Sequence, residues 1–190
     1  MKTMTSPTQT LREEHRVILR AIGLVEAAAG RPDVGGALPA GWWEELIEWL
    51  RAFADRNHHA KEEAHLFPAL AQAGVPAAGG PVGVMLEEHA EGRELTRMMA
   101  ESGGERRVAA AQRYVRVLRD HIDKENGVLF PLTEAVLDPQ SQAELARAFE
   151  QVEAEQGLAA SSEHAEAVVD RLAAALDDSP DGRRDGRGQP

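Results

Sequence analysis

Two stretches of this chain pair an imidazole with a carboxylate at the same spacing. They are His58-His-Ala-Lys-Glu62, running on to Leu66-Phe67-Pro68, and His121-Ile-Asp-Lys-Glu125, running on to Leu129-Phe130-Pro131. Both read H-x-x-x-E-x-x-x-L-F-P, and they begin 63 residues apart. On an α-helix, residues four apart share a face, with Cβ atoms about 5–6 Å from each other. Each stretch therefore presents a nitrogen and a carboxylate ligand side by side. That combination suits iron, manganese or zinc, and the ligand types alone accept all three. A second match lies upstream of each, Glu13-Glu14-His15 and Glu87-Glu88-His89, separated by 74 residues. The candidate metal ligands are thus His15, His58, Glu62, His89, His121 and Glu125. A lone H-x-x-x-E is common on helix surfaces; the doubled one, with matched upstream histidines and a repeated Leu-Phe-Pro, is far more specific.

Other metal chemistries fail on count. A ferritin-like di-iron carboxylate site needs two Glu-x-x-His motifs and two further glutamates. Only Glu62-Glu-Ala-His65 fits. The His-Glu-x-x-His of zinc hydrolases is absent. His59-x-x-x-Glu63 also satisfies the spacing, but only the His58 frame aligns with His121, which leaves His59 exposed or behind the ligands. His65 shares the ligand face two turns on and reads as a peripheral polar residue. Arg51 sits either near the pocket or in solvent, and His164 reads as a surface residue.

The elements that must hold these residues are helical. The chain has 190 residues, 43% of them hydrophobic and only 4% aromatic, and a single domain of this size buries a substantial core. A formal net charge of −11 repels nucleic acid, so no nucleic-acid partner is expected. The absence of cysteine excludes disulfides, thiolate metal sites and iron–sulfur clusters. Met1 to Thr10 has no apolar core of a secretory signal, and no apolar run reaches 18 residues. A cytoplasmic protein without a membrane partner is expected.

Apolar periodicity places the first helix from about Ser6–Thr10 to Gly30, with Leu11, His15, Ile18, Leu19 and Ile22 facing inward. A second spans about 40–73 and carries His58, Glu62 and His65 along one face. Pro68 lacks the N–H an interior position needs, so a kink or stop is expected near Phe67. A third spans 81–101, with Val82, Met85, Leu86, His89 and Thr96 inward. A fourth spans about 105–137, with Tyr114, Leu118, His121, Glu125 and Val128 on one line. The repeat ends there. Residues 138–176 read as one or two amphipathic helices broken near Gly157, and 177–190 as a disordered tail.

With these ligands in these places, the stretch from Leu11 to Leu137 resembles the hemerythrin-like (HHE cation-binding) proteins. The resemblance implies an all-α, antiparallel up-down four-helix bundle over 1–137, holding two iron ions. The histidines would bind terminally, and Glu62 and Glu125 would bridge the irons beside an oxo or hydroxo group. Oxygen carriers of this family have a second histidine four residues after the third-helix ligand, where this chain has Arg93. One iron is then less saturated, or another side chain fills the gap. That departure favours peroxide or nitric oxide chemistry over reversible O2 or iron binding as a carrier, store or sensor. Tyr114 has two readings, a core residue or a phenol that hydrogen-bonds a bound oxygen species or ligates iron directly. The expected ligand is a small molecule, namely O2, peroxide or nitric oxide, and the spacing says nothing of oligomeric state.

Overall fold

A computed structural model describes residues 5–31 and 38–178. Among these residues every regular element is helical. Helix α1 (Pro7–Ala29) starts on Ser6, whose hydroxyl accepts from the Gln9 N–H, with proline in the first turn where a missing N–H costs nothing. The second long helix is composite. It begins as α2 (Trp42–Trp49), passes through π-helical segments at Leu50–His59 and Glu62–Leu66, and ends as α3 (Phe67–Gln72). Helix α4 (Pro81–Glu101) returns. Helix α5 (Gly104–Lys124) continues through a π-helical turn at Glu125–Leu129 into α6 (Phe130–Val136).

Each long helix packs on two of the others: α1 and α4 both contact α5, and both contact the π-helical segment of the second helix. This is the expected antiparallel four-helix bundle. Beyond it, α7 (Pro139–Gln156) starts on the Asp138 carboxylate as N-cap, and α8 (Ser162–Asp177) starts on the Ser161 hydroxyl. The expected break at Gly157 is a short 3-10 turn, Gly157–Ala160, with Gly157 at φ 61. The tail expected to be disordered lies, from 179 on, outside the described residues. No helix among the described residues is long and apolar enough to cross a membrane.

Of the kink or stop expected near Phe67, the stop does not occur: neither Pro68 nor Pro131 ends its helix. A proline clashes with the carbonyl four residues back and cannot donate to it. Here the preceding turn widens instead. The Phe67 N–H bonds the Glu62 carbonyl and the Phe130 N–H bonds the Glu125 carbonyl, both five residues back. The extra residue in the turn rotates everything after it. Leu66 and Leu129 are therefore buried, while Val128, expected on the inner line, is exposed, and His65 is only half buried. Leu19 and Leu86, also expected inward, lie partly exposed at the edge of their stripes.

The core forms two apolar clusters. One collects Trp42, Trp43, Trp49, Phe53, Leu118 and the inner face of α8; the other collects Leu11, Leu66, Phe67, Leu129, Phe130 and Phe149. Helix α8 is fastened by indole N–H groups: Trp42 donates to the Leu172 carbonyl (3.0 Å) and Trp49 to the Ala165 carbonyl (3.1 Å). Helix α7 inserts Phe149, which is 2% exposed. If α7 is part of the bundle core, Phe149→Ala should cost about 3–5 kcal/mol in urea unfolding followed by helical circular dichroism. A cost below about 1 kcal/mol would mean that the cluster closes without it.

Candidate metal centre

Between the two apolar clusters lies a polar slab contributed by all four long helices. His15 comes from α1, His58, His59 and Glu62 from the second helix, His89 from α4, and His121 and Glu125 from the fourth. All seven are buried. They fall into two overlapping groups, each with one ligand atom per residue and all those atoms within 4.8 Å of one another. The first is His15, His58, Glu62 and Glu125; the second is His59, Glu62, His89 and His121. Glu62 belongs to both. Glu125 of the first group also approaches the second, with Oε2 at 3.3 Å from His121 Nε2. The structure thus brings together all six ligands read from the sequence and adds His59.

His59 is 5% exposed, which rules out the solvent position, and it lies within the second group rather than apart from it. Its ring stacks on His89 with centroids 3.8 Å apart. Neighbours on an α-helix point roughly 100° apart, so His58 and His59 would not both face one centre. The π-helical segment Leu50–His59 changes that spacing, and such segments often mark functional sites. The available sequence signal was the second frame, His59-x-x-x-Glu63; repeat alignment hid it because Ile122 occupies the matching place.

Four of the histidines turn Nδ1 outward onto a polar partner. His15 meets Asn126 Oδ1 at 3.1 Å, His58 meets Glu14 at 2.8 Å, His89 meets Glu63 at 2.7 Å and His121 meets Glu88 at 3.0 Å. His59 Nδ1 lies 3.5 Å from Asp55, longer than a well-formed hydrogen bond. A carboxylate can only accept, so it holds the proton on the outer nitrogen and leaves the inner one with a lone pair. The inner nitrogens then face acceptors. His15 Nε2 is 3.1 Å from Glu125, His89 Nε2 is 3.3 Å from Glu62, and the Nε2 atoms of His89 and His121 are 3.1 Å apart. All four oxygens of Glu62 and Glu125, with His15 Nε2 and His58 Nε2, have no hydrogen-bond partner. Buried acceptors converging without donors are costly, and a cation among them removes the cost. The residues fit a metal pair.

Burial and the Glu125 charge push the Glu62 carboxyl well up. Glu125 is equally buried, but the adjacent imidazoles of His121 and His15 pull it down. Burial drives His58 well below its ordinary value. His59 drops to about 3 through burial and the nearby His89 charge. Burial opposes the charged form of His89 too, yet the close carboxylate of Glu62, 3.3 Å away, and the hydrogen bond to Glu63 outweigh it and raise His89 to about 9. Without metal, a proton on His89 stands where a cation would.

The outer partners are themselves held. Lys61 is fully buried and donates to Glu14 and, at 2.7 Å, to Glu153 of α7, which ties the C-terminal helices to His58. Lys124 donates likewise to Glu88. Tyr114 is buried and lines a narrow cleft with Arg51, Asp55, His59, Arg93 and Thr96. Gly92 backs it; a Cβ there would sit 3.3 Å from Leu118 Cδ2 and 3.9 Å from the Tyr114 ring. Burial and the charge of Asp55 raise the Tyr114 phenol, so it stays protonated. His65 lines a groove with Leu137 and Asp138, outside both ligand groups, and His164 is exposed beside Trp49.

Metal and proton compete for His89. The protonated imidazole stabilises the metal-free protein fully below about 6.5, and that stability is lost as pH rises through about 9. Metal uptake runs the other way: apparent affinity should rise up to about tenfold per pH unit between those values. Titrations with Co(II) at several pH values measure this, and a flat profile would contradict the assigned role of His89.

The hemerythrin HHE cation binding domain matches residues 6–133, which takes in every residue of both ligand groups. Uncharacterized proteins of Mycobacterium tuberculosis and Mycobacterium bovis are 27% identical over 160 residues, covering 79% of this chain. The chain spans 62% of the length of those relatives. No solved structure matches it. With the match covering most of the chain and the ligand cluster inside it, the protein belongs to the hemerythrin HHE cation-binding family.

Proposed function

We propose that this protein is a non-haem di-iron protein that reacts with a small oxidant, peroxide or nitric oxide, in a protective role. The observation that carries the reading is the set of buried, donorless ligand atoms, divided into two groups that share Glu62. His15 and His58 would hold the first ion and His59, His89 and His121 the second, with the Glu62 and Glu125 carboxylates available to both. Iron bound there would supply the electron transfer that reaction with a molecule of a few atoms requires. Disproportionation of peroxide to water and O2 balances without an outside reductant.

The chain's own residues define what reaches the centre. The cleft beside His59 is narrow and walled by Tyr114, Arg93 and Thr96, which restricts it to small molecules. Apolar clusters above and below the slab keep water out. The Tyr114 phenol, held protonated, donates a hydrogen bond to an oxygen atom arriving there and is the proposed catalytic group.

One observation favours the alternative, reversible binding of O2 or iron as a carrier, store or sensor. His59 supplies a fifth imidazole, so the histidine missing at Arg93 does not leave the centre short of nitrogen ligands. One experiment separates the two. The protein is loaded with Fe(II) without air, its metal counted, and then exposed to O2 or to peroxide. About two irons per chain and rapid O2 release from peroxide support the enzyme. Under that reading Tyr114→Phe keeps the iron and slows the release by roughly 100-fold. A reversible spectral change with O2 and no peroxide consumption supports the binding protein. Failure to take up iron overturns both.

A further inference from the structure

Arg93 is the residue that the metal site does not absorb. It projects from α4, with its side chain 40% exposed, and one of its nitrogens, Nη1, lies 2.9 Å from Asp55 Oδ1 and 2.9 Å from Glu63 Oε1. Those same oxygens face ligands: Asp55 Oδ1 is the atom 3.5 Å from His59 Nδ1, and Glu63 Oε1 accepts from His89 Nδ1 at 2.7 Å. The two rings they face stack on each other at 3.8 Å. His59, Asp55, Arg93, Glu63 and His89 therefore form a closed ring of contacts, which gathers two of the three histidines of the second group.

We propose that Arg93 is a positioning residue for the second metal position, holding His59 and His89 in ligating orientation by clamping the carboxylates behind them. The inference rests on the two-ion reading of the centre. Asp55 and Glu63 are partly exposed, at 29% and 31%, so without a fixed cation they are free to turn toward water. A guanidinium offers several donors in a rigid fork and can serve two carboxylates at once, whereas an ammonium on a flexible stem holds the same pair loosely. Behind the first group the two partners are held separately, Glu14 by Lys61 and Asn126 by Arg12, so no single guanidinium joins them.

Exposed ion pairs contribute little to folding, which separates a positioning role from a structural one. Loss of the clamp should weaken one ion and leave the fold alone. The probe is Co(II), titrated into the metal-free full-length protein by calorimetry, with visible absorption reporting the ligand field of each ion. Wild type should take up two ions in distinguishable steps. Arg93→Gln should weaken one step by about 10–100-fold and alter its absorption, with the other step and the metal-free melting temperature unchanged. Arg93→Lys should fall between, and Asp55→Asn should weaken the same step. Combining Arg93→Gln with Asp55→Asn should add little, because both break the same contact. Wild-type affinity for both ions in Arg93→Gln would overturn the clamp, as would an equal fall in both steps accompanied by a lower melting temperature. A wild-type protein that binds fewer than two ions would instead overturn the two-ion reading beneath it.

Discussion

Everything in this bundle answers to one constraint: lone pairs meet in its centre with no donor among them. Four carboxylate oxygens and the inner imidazole nitrogens converge in a space closed above and below by hydrocarbon. Such an arrangement repels itself unless positive charge lies inside it. In the metal-free chain, protonation of His89 meets part of that need, which is why its imidazole holds a proton to about 9. The outer shell makes the arrangement persistent. Acceptors behind the histidines fix the protons on their outer nitrogens, so the inner lone pairs cannot turn away.

The internal repeat gains a physical meaning from this shell. Glu14 and Glu88, each just before a ligand histidine, reach across to His58 and His121 of the other motif. Lys61 and Lys124, each just before a ligand glutamate, hold those carboxylates in turn. Asn126 and Glu63, each just after one, receive His15 and His89. Each half thus builds part of its own outer shell and, through Asn126 and Glu63, part of the other's. They differ where the centre becomes unequal: His59 and Asp55 have no counterparts, and Lys61 is sealed under Glu153 while Lys124 stays in solvent.

The bundle and six of the seven candidate ligands were legible because they rest on spacing. Helical periodicity, the two H-x-x-x-E motifs and the doubled Glu-Glu-His survive translation into structure with only small shifts at the helix ends. Positions that depend on π-helical turns did not survive. A 3.6-residue period turns Val128 inward and His59 away, whereas the widened turns ahead of Pro68 and Pro131, and through Leu50–His59, do the opposite. Proline was read as a kink or a stop; the helix continues past it through a wider turn. The outer shell was half visible: Glu14 and Glu88 stood in the matched triplets, but no spacing rule connects Arg93 to residues 30 and 38 positions earlier.

A narrow cleft, a protonated phenol and five imidazoles around two carboxylates are the features on which the proposed reaction with molecules of a few atoms rests. The claim on which that description stands is that two ions occupy the slab at once. Anomalous diffraction at the iron edge, from crystals of the iron-loaded protein, tests it most directly. Two peaks about 3.5–4 Å apart are predicted, with Glu62 between them, one beside His15 and His58 and the other beside His59, His89 and His121. A single peak, or a pair that leaves His59 without metal, would contradict it.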